Sequence, residues 1–162
     1  MNNKFRTVRG YELESYNKNS LTPAMEDYLE MIYRYSLKEP YIRINTLAGL
    51  LNVKDSSASK MVKNLAELGL VNSTRYSVVT LTDKGKIKGK ILLSRHNIME
   101  RFLELIGCKE DKLIQTELIE HFITPDTVSK IEVLCKFFDD NKDVMEKYNK
   151  IKMTTISNID QE

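Results

Sequence analysis

The chain has 162 residues, room for one compact domain or two small ones sharing a core. With 41% hydrophobic and 30% charged residues it has a soluble globular profile, and no apolar run approaches the roughly 18 residues of a membrane span. The N-terminus lacks the apolar stretch of a signal peptide, and two cysteines, Cys108 and Cys135, make no disulfide framework and fit a reducing cytoplasm. The net charge of +2 hides an asymmetry: residues 21–95 carry twelve basic against seven acidic side chains, residues 96–162 nine against fourteen. A basic front half suits a polyanion, and an acidic back half has other work.

Residues 1–20 are polar and aperiodic and read as a flexible N-terminal arm. Thr22 then offers an N-cap and Pro23 a first helical position for a helix that ends before Pro40, with Leu21, Met25, Tyr28, Leu29, Ile32 and Tyr33 at helical spacing. "RINTLAGLLNV" predicts a short helix with Leu47, Leu50 and Leu51 inward. "SSASKMVKNLAELGLV" predicts another, with Ala58, Met61, Val62 and Leu65 on one face and Gly69 as its stop. "VNSTRYSVVTLTDKGK" is the one strong strand signal, two β-rich stretches turning near Arg75 to Ser77. A long helix over about 83–106 follows, opening on Lys84, Lys86, Lys88 and Lys90 and ending at Gly107. Helices over "CKEDKLIQTELIEHFI" and "PDTVSKIEVLCKFFDD" part at Thr124-Pro125, and a last helical segment after Asn141 frays into a tail over 156–162.

Helix, helix, tight break, helix and β-hairpin, in that order, make a winged helix-turn-helix. The face left over when the apolar positions are buried carries Ser56, Ser57, Ser59, Lys60, Lys63 and Asn64, and the hairpin carries Arg75. Hydroxyl and amide groups near the start of such a helix reach base edges, while lysines meet phosphates. The alternative is a three-helix core with a solvated serine-rich face. The hairpin directly after the second helix and the basic excess favour DNA.

Metal-capable side chains recur on three of the predicted helices. Glu117, Glu120 and His121 stand at i, i+3 and i+4 and so project from one face. Asp27 and Glu30 stand at i and i+3, and His96 is followed one turn later by Glu100. Taken singly, each group is a common feature of a solvated helix surface. Together, two histidines and several carboxylates form a borderline-to-hard ligand set suited to Mn²⁺, Fe²⁺ or Zn²⁺.

"LTPAMEDYLEMIY", "SSASKMVKNLAELGLV", "VTLTDKGK", "SRHNIMERFLELIG" and "ELIEHF", collinear from about Leu21 to Phe138, resemble the diphtheria toxin repressor family, and most of all its manganese-responsive branch. The resemblance implies a mainly α protein: a winged helix-turn-helix DNA-binding domain over 21–84, then an all-helical metal-binding and dimerisation domain over 85–155. It implies a binuclear site held by Asp27, Glu30, His96, Glu117, Glu120 and His121, all six matching in type and spacing. The iron-responsive branch has methionine at the position of Asp27 and cysteine at that of Glu117; oxygen donors at both favour Mn²⁺, with Fe²⁺, Co²⁺, Zn²⁺ or Cd²⁺ able to substitute. Glu100 aligns with an ancillary ligand of the iron branch, and Phe122 stands where the manganese branch commonly has a second histidine.

The resemblance implies a cytoplasmic, non-enzymatic regulator. As a homodimer it would bind palindromic operator DNA when metal is bound and control manganese transport genes, with no membrane and no small organic substrate as partner. Ile119, Phe122, Val128, Ile131, Leu134, Phe137 and Phe138 are candidates for the dimer surface, with burial in the monomer core as the alternative. Three other readings remain: a winged-helix regulator answering to an organic ligand or protein partner, a sensor of iron or zinc, and a carboxylate-bridged di-metal oxidase. The last needs two Glu-x-x-His pairs, which this chain lacks.

Overall fold

A computed structural model describes residues 21–74 and 77–159, with the side chains of 156–159 left aside. The arm over 1–20 and Arg75 lie outside the described residues. The contacts divide the chain into two units, Met1–Leu93 and Ser94–Glu162.

In the first unit, α1 spans Pro23–Ser36. The Thr22 hydroxyl accepts from the Met25 amide at 3.2 Å, and Pro23 fills a position whose amide would otherwise lack a helical partner. A two-residue strand, β1 (Ile42–Arg43), leads into α2 (Ile44–Leu50). Asn52, at φ 52, turns the chain into α3 (Asp55–Glu67), a left-handed position that asparagine tolerates. Gly69, at φ 69, ends the descent from α3 into β2 (Val71–Ser73). With β3 (Val78–Leu81) these strands form an antiparallel sheet ordered β1-β3-β2, registered Val71 to Leu81 and Ile42 to Val79.

The core is built where the helices meet this sheet. Leu29 and Ile32 of α1, Leu47 and Ala48 of α2, and Ala58, Val62 and Leu65 of α3 close over Ile42, Val71 and Val79. Leu50, expected inward, is exposed, and Leu51 is half-buried against the core. A seven-residue helix presents barely one face, and Leu47 with the small Ala48 takes it, which lets α2 and α3 approach closely.

The helix α4 (Asp83–Ile106) runs from the first unit into the second. Its start is tied to the sheet: the Thr82 hydroxyl accepts from the Gly85 amide at 3.0 Å and donates to the Gly69 carbonyl at 2.8 Å. Gly107, at φ 93, stops it. In the second unit α5 spans Lys112–Glu120, α6 Pro125–Asp140 and α7 Lys142–Ile159, the last reaching into the stretch read as a tail. Thr124 caps α6 as Thr22 caps α1, accepting from the Thr127 amide at 3.3 Å. Among the described residues Met99, Leu103, Val128 and Cys135 are the buried apolar side chains of this unit. α5 is shorter than its periodicity suggests, because Asp111 takes a left-handed φ of 51 before it and His121 already acts as its C-cap. No helix among the described residues is long and apolar enough to cross a membrane.

Candidate metal centre and nucleic-acid interface

Four of the six candidate ligands lie in the second unit, on α4 and at the end of α5. His96 is 2% exposed and Glu120 is 1% exposed. Their contact is direct, Nδ1 of His96 standing 2.9 Å from Oε2 of Glu120. The Glu117 carboxylate, about half exposed, lies 3.5 Å from the same Nδ1. Glu117 and His121 bring ligand atoms within 4.8 Å of one another, as do His96 and Glu120. The spacing of α5 does this: Glu117 and Glu120 are one turn apart, and His121 follows at the cap on the same face.

A buried carboxylate is costly unless a cation or several donors compensate it. Here an imidazole, two carboxylates and a second imidazole converge on a largely dry patch, giving nitrogen and oxygen donors together. Such a donor set fits a borderline-to-hard divalent cation. Arg95, not among the candidates above, joins this group. Its Nη2 lies 3.6 Å from Oε1 of Glu120 and 3.4 Å from Nδ1 of His121. A guanidinium only donates, so Arg95 brings a positive charge beside the Glu120 carboxylate and the His121 ring. The signal lay in the sequence as an arginine directly before the histidine of the long helix.

Glu100 holds a lysine: its Oε1 lies 3.2 Å from Nζ of Lys112. The remaining two candidates belong to the first unit. Asp27 and Glu30 stand one turn apart on α1, and Glu30 accepts from Nε of Arg34 at 2.8 Å.

The DNA candidates of the first unit lie along one helix. Ser56, Ser57, Ser59, Lys60 and Lys63 of α3 are exposed and Asn64 is half-buried, while Ala58, Val62 and Leu65 on its other face enter the core. Lys63 has only a loose exposed ion pair with Glu67, at 4.0 Å. A shallow recess at the start of α3 is lined by Arg43, Asn45, Asp55, Ser56, Ser59 and Ser77. Arg43 and Asn45 were not among the sequence candidates. A basic residue immediately before the first helix of the helix-turn-helix was the available sign.

The family model for the iron-dependent repressor N-terminal DNA-binding domain matches residues 20–79, and that for the iron-dependent repressor metal-binding and dimerisation domain matches 82–148. The HTH-type transcriptional regulator MntR of Lysinibacillus sphaericus is 36% identical over 127 residues, 78% of this chain and 91% of that protein. Its namesake in Bacillus subtilis is 37% identical over 121 residues, 74% of this chain and 85% of that protein. Among solved structures, a manganese-dependent transcriptional repressor in complex with manganese aligns with TM-score 0.63 and 29% identity, covering 70% of this chain. The manganese regulator SloR aligns with TM-score 0.63 and 28% identity, covering 72% of this chain. The chain spans about half the length of these two solved chains, 53% and 55%. Two family models in tandem over most of the chain, with MntR regulators matched across most of their own length, settle its kinship: the chain belongs to the iron-dependent repressor family, the diphtheria toxin repressor family that its motifs resemble, and stands among the MntR-type regulators.

Proposed function

We propose that the chain is a Mn²⁺-responsive transcriptional repressor of manganese homeostasis, working in the cytoplasm as a homodimer on a palindromic operator. The observation that carries this is the buried His96–Glu120 pair, joined by Glu117 and His121, on helices that follow a winged helix-turn-helix. Asp27 and Glu30 complete a binuclear centre in this reading. The support for them is the match of all six residues in type and order to the manganese branch. Carboxylates gathered by two parts of the chain repel until a divalent ion neutralises them, so the ion favours the arrangement that holds both sets. Oxygen donors at Asp27 and Glu117 favour Mn²⁺; Fe²⁺, Co²⁺, Zn²⁺ and Cd²⁺ remain substitutes.

Leu134 and Phe137 on α6, and Phe122 beside the site, are exposed apolar side chains suited to a two-fold contact, as are Leu113, Ile114, Leu118 and Val133. Val128 is buried within the single chain, and Ile119, Ile131 and Phe138 are half-buried. Two-fold symmetry presents two copies of α3 to two half-sites.

Linkage supplies the test. Metal that tightens operator binding must itself bind tighter to the operator complex, by the same factor, with a coupling of about 1–3 kcal/mol. Operator affinity is measured with and without Mn²⁺, and Mn²⁺ affinity with and without operator. Equal Mn²⁺ affinity in both states would make the ion structural and end the sensor reading.

The DNA face has its own test. Lys60→Ala and Lys63→Ala are each expected to lower the slope of log affinity against log salt by about one unit, as loss of one phosphate contact does. Ser57→Ala is expected to change discrimination between operator variants instead. Unchanged slopes in both lysine variants would remove α3 from the interface.

A further inference from the structure

Nine residues make α5 too short to stand by its own hydrogen bonds, and it begins on Asp111 without a side-chain cap. Its first residue is Lys112, a charge of the wrong sign for a helix N-terminus. That ammonium is spent elsewhere. Nζ lies 3.2 Å from Oε1 of Glu100 and 3.3 Å from Oε2 of Glu104, two carboxylates one turn apart on α4. The Glu100 hydrogen bond is the largest of the influences on Lys112 and holds its pKa above the usual lysine value.

This bridge shares a register with the metal-capable pair. Glu104 meets Lys112, and eight residues earlier on α4 His96 meets Glu120, eight residues later on α5. The two helices therefore run antiparallel, with the bridge and the pair about 12 Å apart along the axis. Between them Thr116 is fully buried, its hydroxyl donating to the Lys112 carbonyl at 2.9 Å within α5 itself.

We propose that Lys112 is a positioning residue for the metal centre: by bridging Glu100 and Glu104 it sets the register of α5 on α4, and so the height at which Glu117, Glu120 and His121 meet His96. The proposal rests on the metal-centre reading above. It makes a prediction opposite in sign to simple electrostatics. A nearby positive charge opposes cation binding, so its removal alone would leave Mn²⁺ affinity unchanged or tighten it. Loss of a positioning bridge weakens it.

The experiment titrates the full chain with Mn²⁺, reading free ion by electron paramagnetic resonance, in wild type, Lys112→Met and Lys112→Arg. Lys112→Met is expected to weaken Mn²⁺ binding roughly three- to fivefold, the scale of a well-made surface ion pair. Lys112→Arg, which can still span two carboxylates, is expected to restore it. Hydrogen exchange on the metal-free chains gives a second readout: amides 116–121 are expected to exchange faster in Lys112→Met and to recover in Lys112→Arg, with α6 unchanged. Unchanged or tighter Mn²⁺ binding in Lys112→Met overturns the proposal, as does loss of protection spread equally through α6. If wild type took up no Mn²⁺, the metal reading would fail, and exchange at 116–121 alone would decide whether Lys112 sets the register.

Discussion

Glu120→Gln is expected to abolish Mn²⁺-activated operator binding while leaving the protein folded and dimeric. The substitution keeps the shape of a side chain that is 1% exposed, so packing around it is conserved. What changes is the charge and the donor. An amide oxygen is a poorer ligand than a carboxylate, and the amide nitrogen faces Nδ1 of His96, now 2.9 Å from a carboxylate oxygen. Groups that merely orient metal ligands cost about 10–100-fold in affinity when lost, so removal of a direct ligand should cost at least about a hundredfold. Calorimetry with Mn²⁺, operator binding and sedimentation equilibrium together read the outcome. Dimerisation is expected to survive because Leu134 and Phe137, on α6, are separate from the ligand set. Wild-type Mn²⁺ affinity in Glu120→Gln would remove Glu120 from the centre and leave its burial to be explained as structure alone.

Gly85→Ala is expected to destabilise the first unit strongly, against the usual gain of alanine in a helix. Alanine ordinarily improves a helix by about 1 kcal/mol over glycine. At this position the new Cβ would stand 2.9 Å from the Leu70 carbonyl carbon and closer still to its oxygen. Backbone cannot swing aside as a side-chain tip can, so α4 would have to lift from the β2 end of the sheet and break the Thr82 contacts. Overpacking of this kind costs about 3 kcal/mol or more, which outweighs the gain in propensity. Urea denaturation followed by circular dichroism checks it. A midpoint at or above that of wild type would mean that the close approach of α4 to Leu70 is wrong.

Features written locally were legible in the sequence. Thr22-Pro23 and Thr124-Pro125 each state a cap and a start, and the structure opens α1 and α6 there. Gly69 and Gly107 state their stops through positive φ. Features decided by distant partners were not. β1 is two residues long and exists because Ile42 and Arg43 pair with Val79 and Val78, some 35 residues later in the chain. The inward face of α2 was misread at Leu50 because seven residues give periodicity little to work with. The candidate ligands of α5 could be read from i, i+3 and i+4 spacing, since a helix converts that spacing directly into a shared face. Arg95 beside Glu120, and Lys112 beneath Glu100 and Glu104, depend on the helix-to-helix register, which no single segment encodes.

The border between the two units, at Leu93 and Ser94, falls inside α4. Modular regulators are commonly joined by a loose connector, which proteases find and recombination can cut without harm. A cut here would sever a continuous helix and strand about four carbonyls on one side and four amides on the other. Cleavage at this border therefore costs helical hydrogen bonds that cleavage in a loop would not. A chimaera spliced at 93 and 94 keeps its peptide bond and its helical hydrogen bonds, so what it has to match is the side chains on either side of the splice.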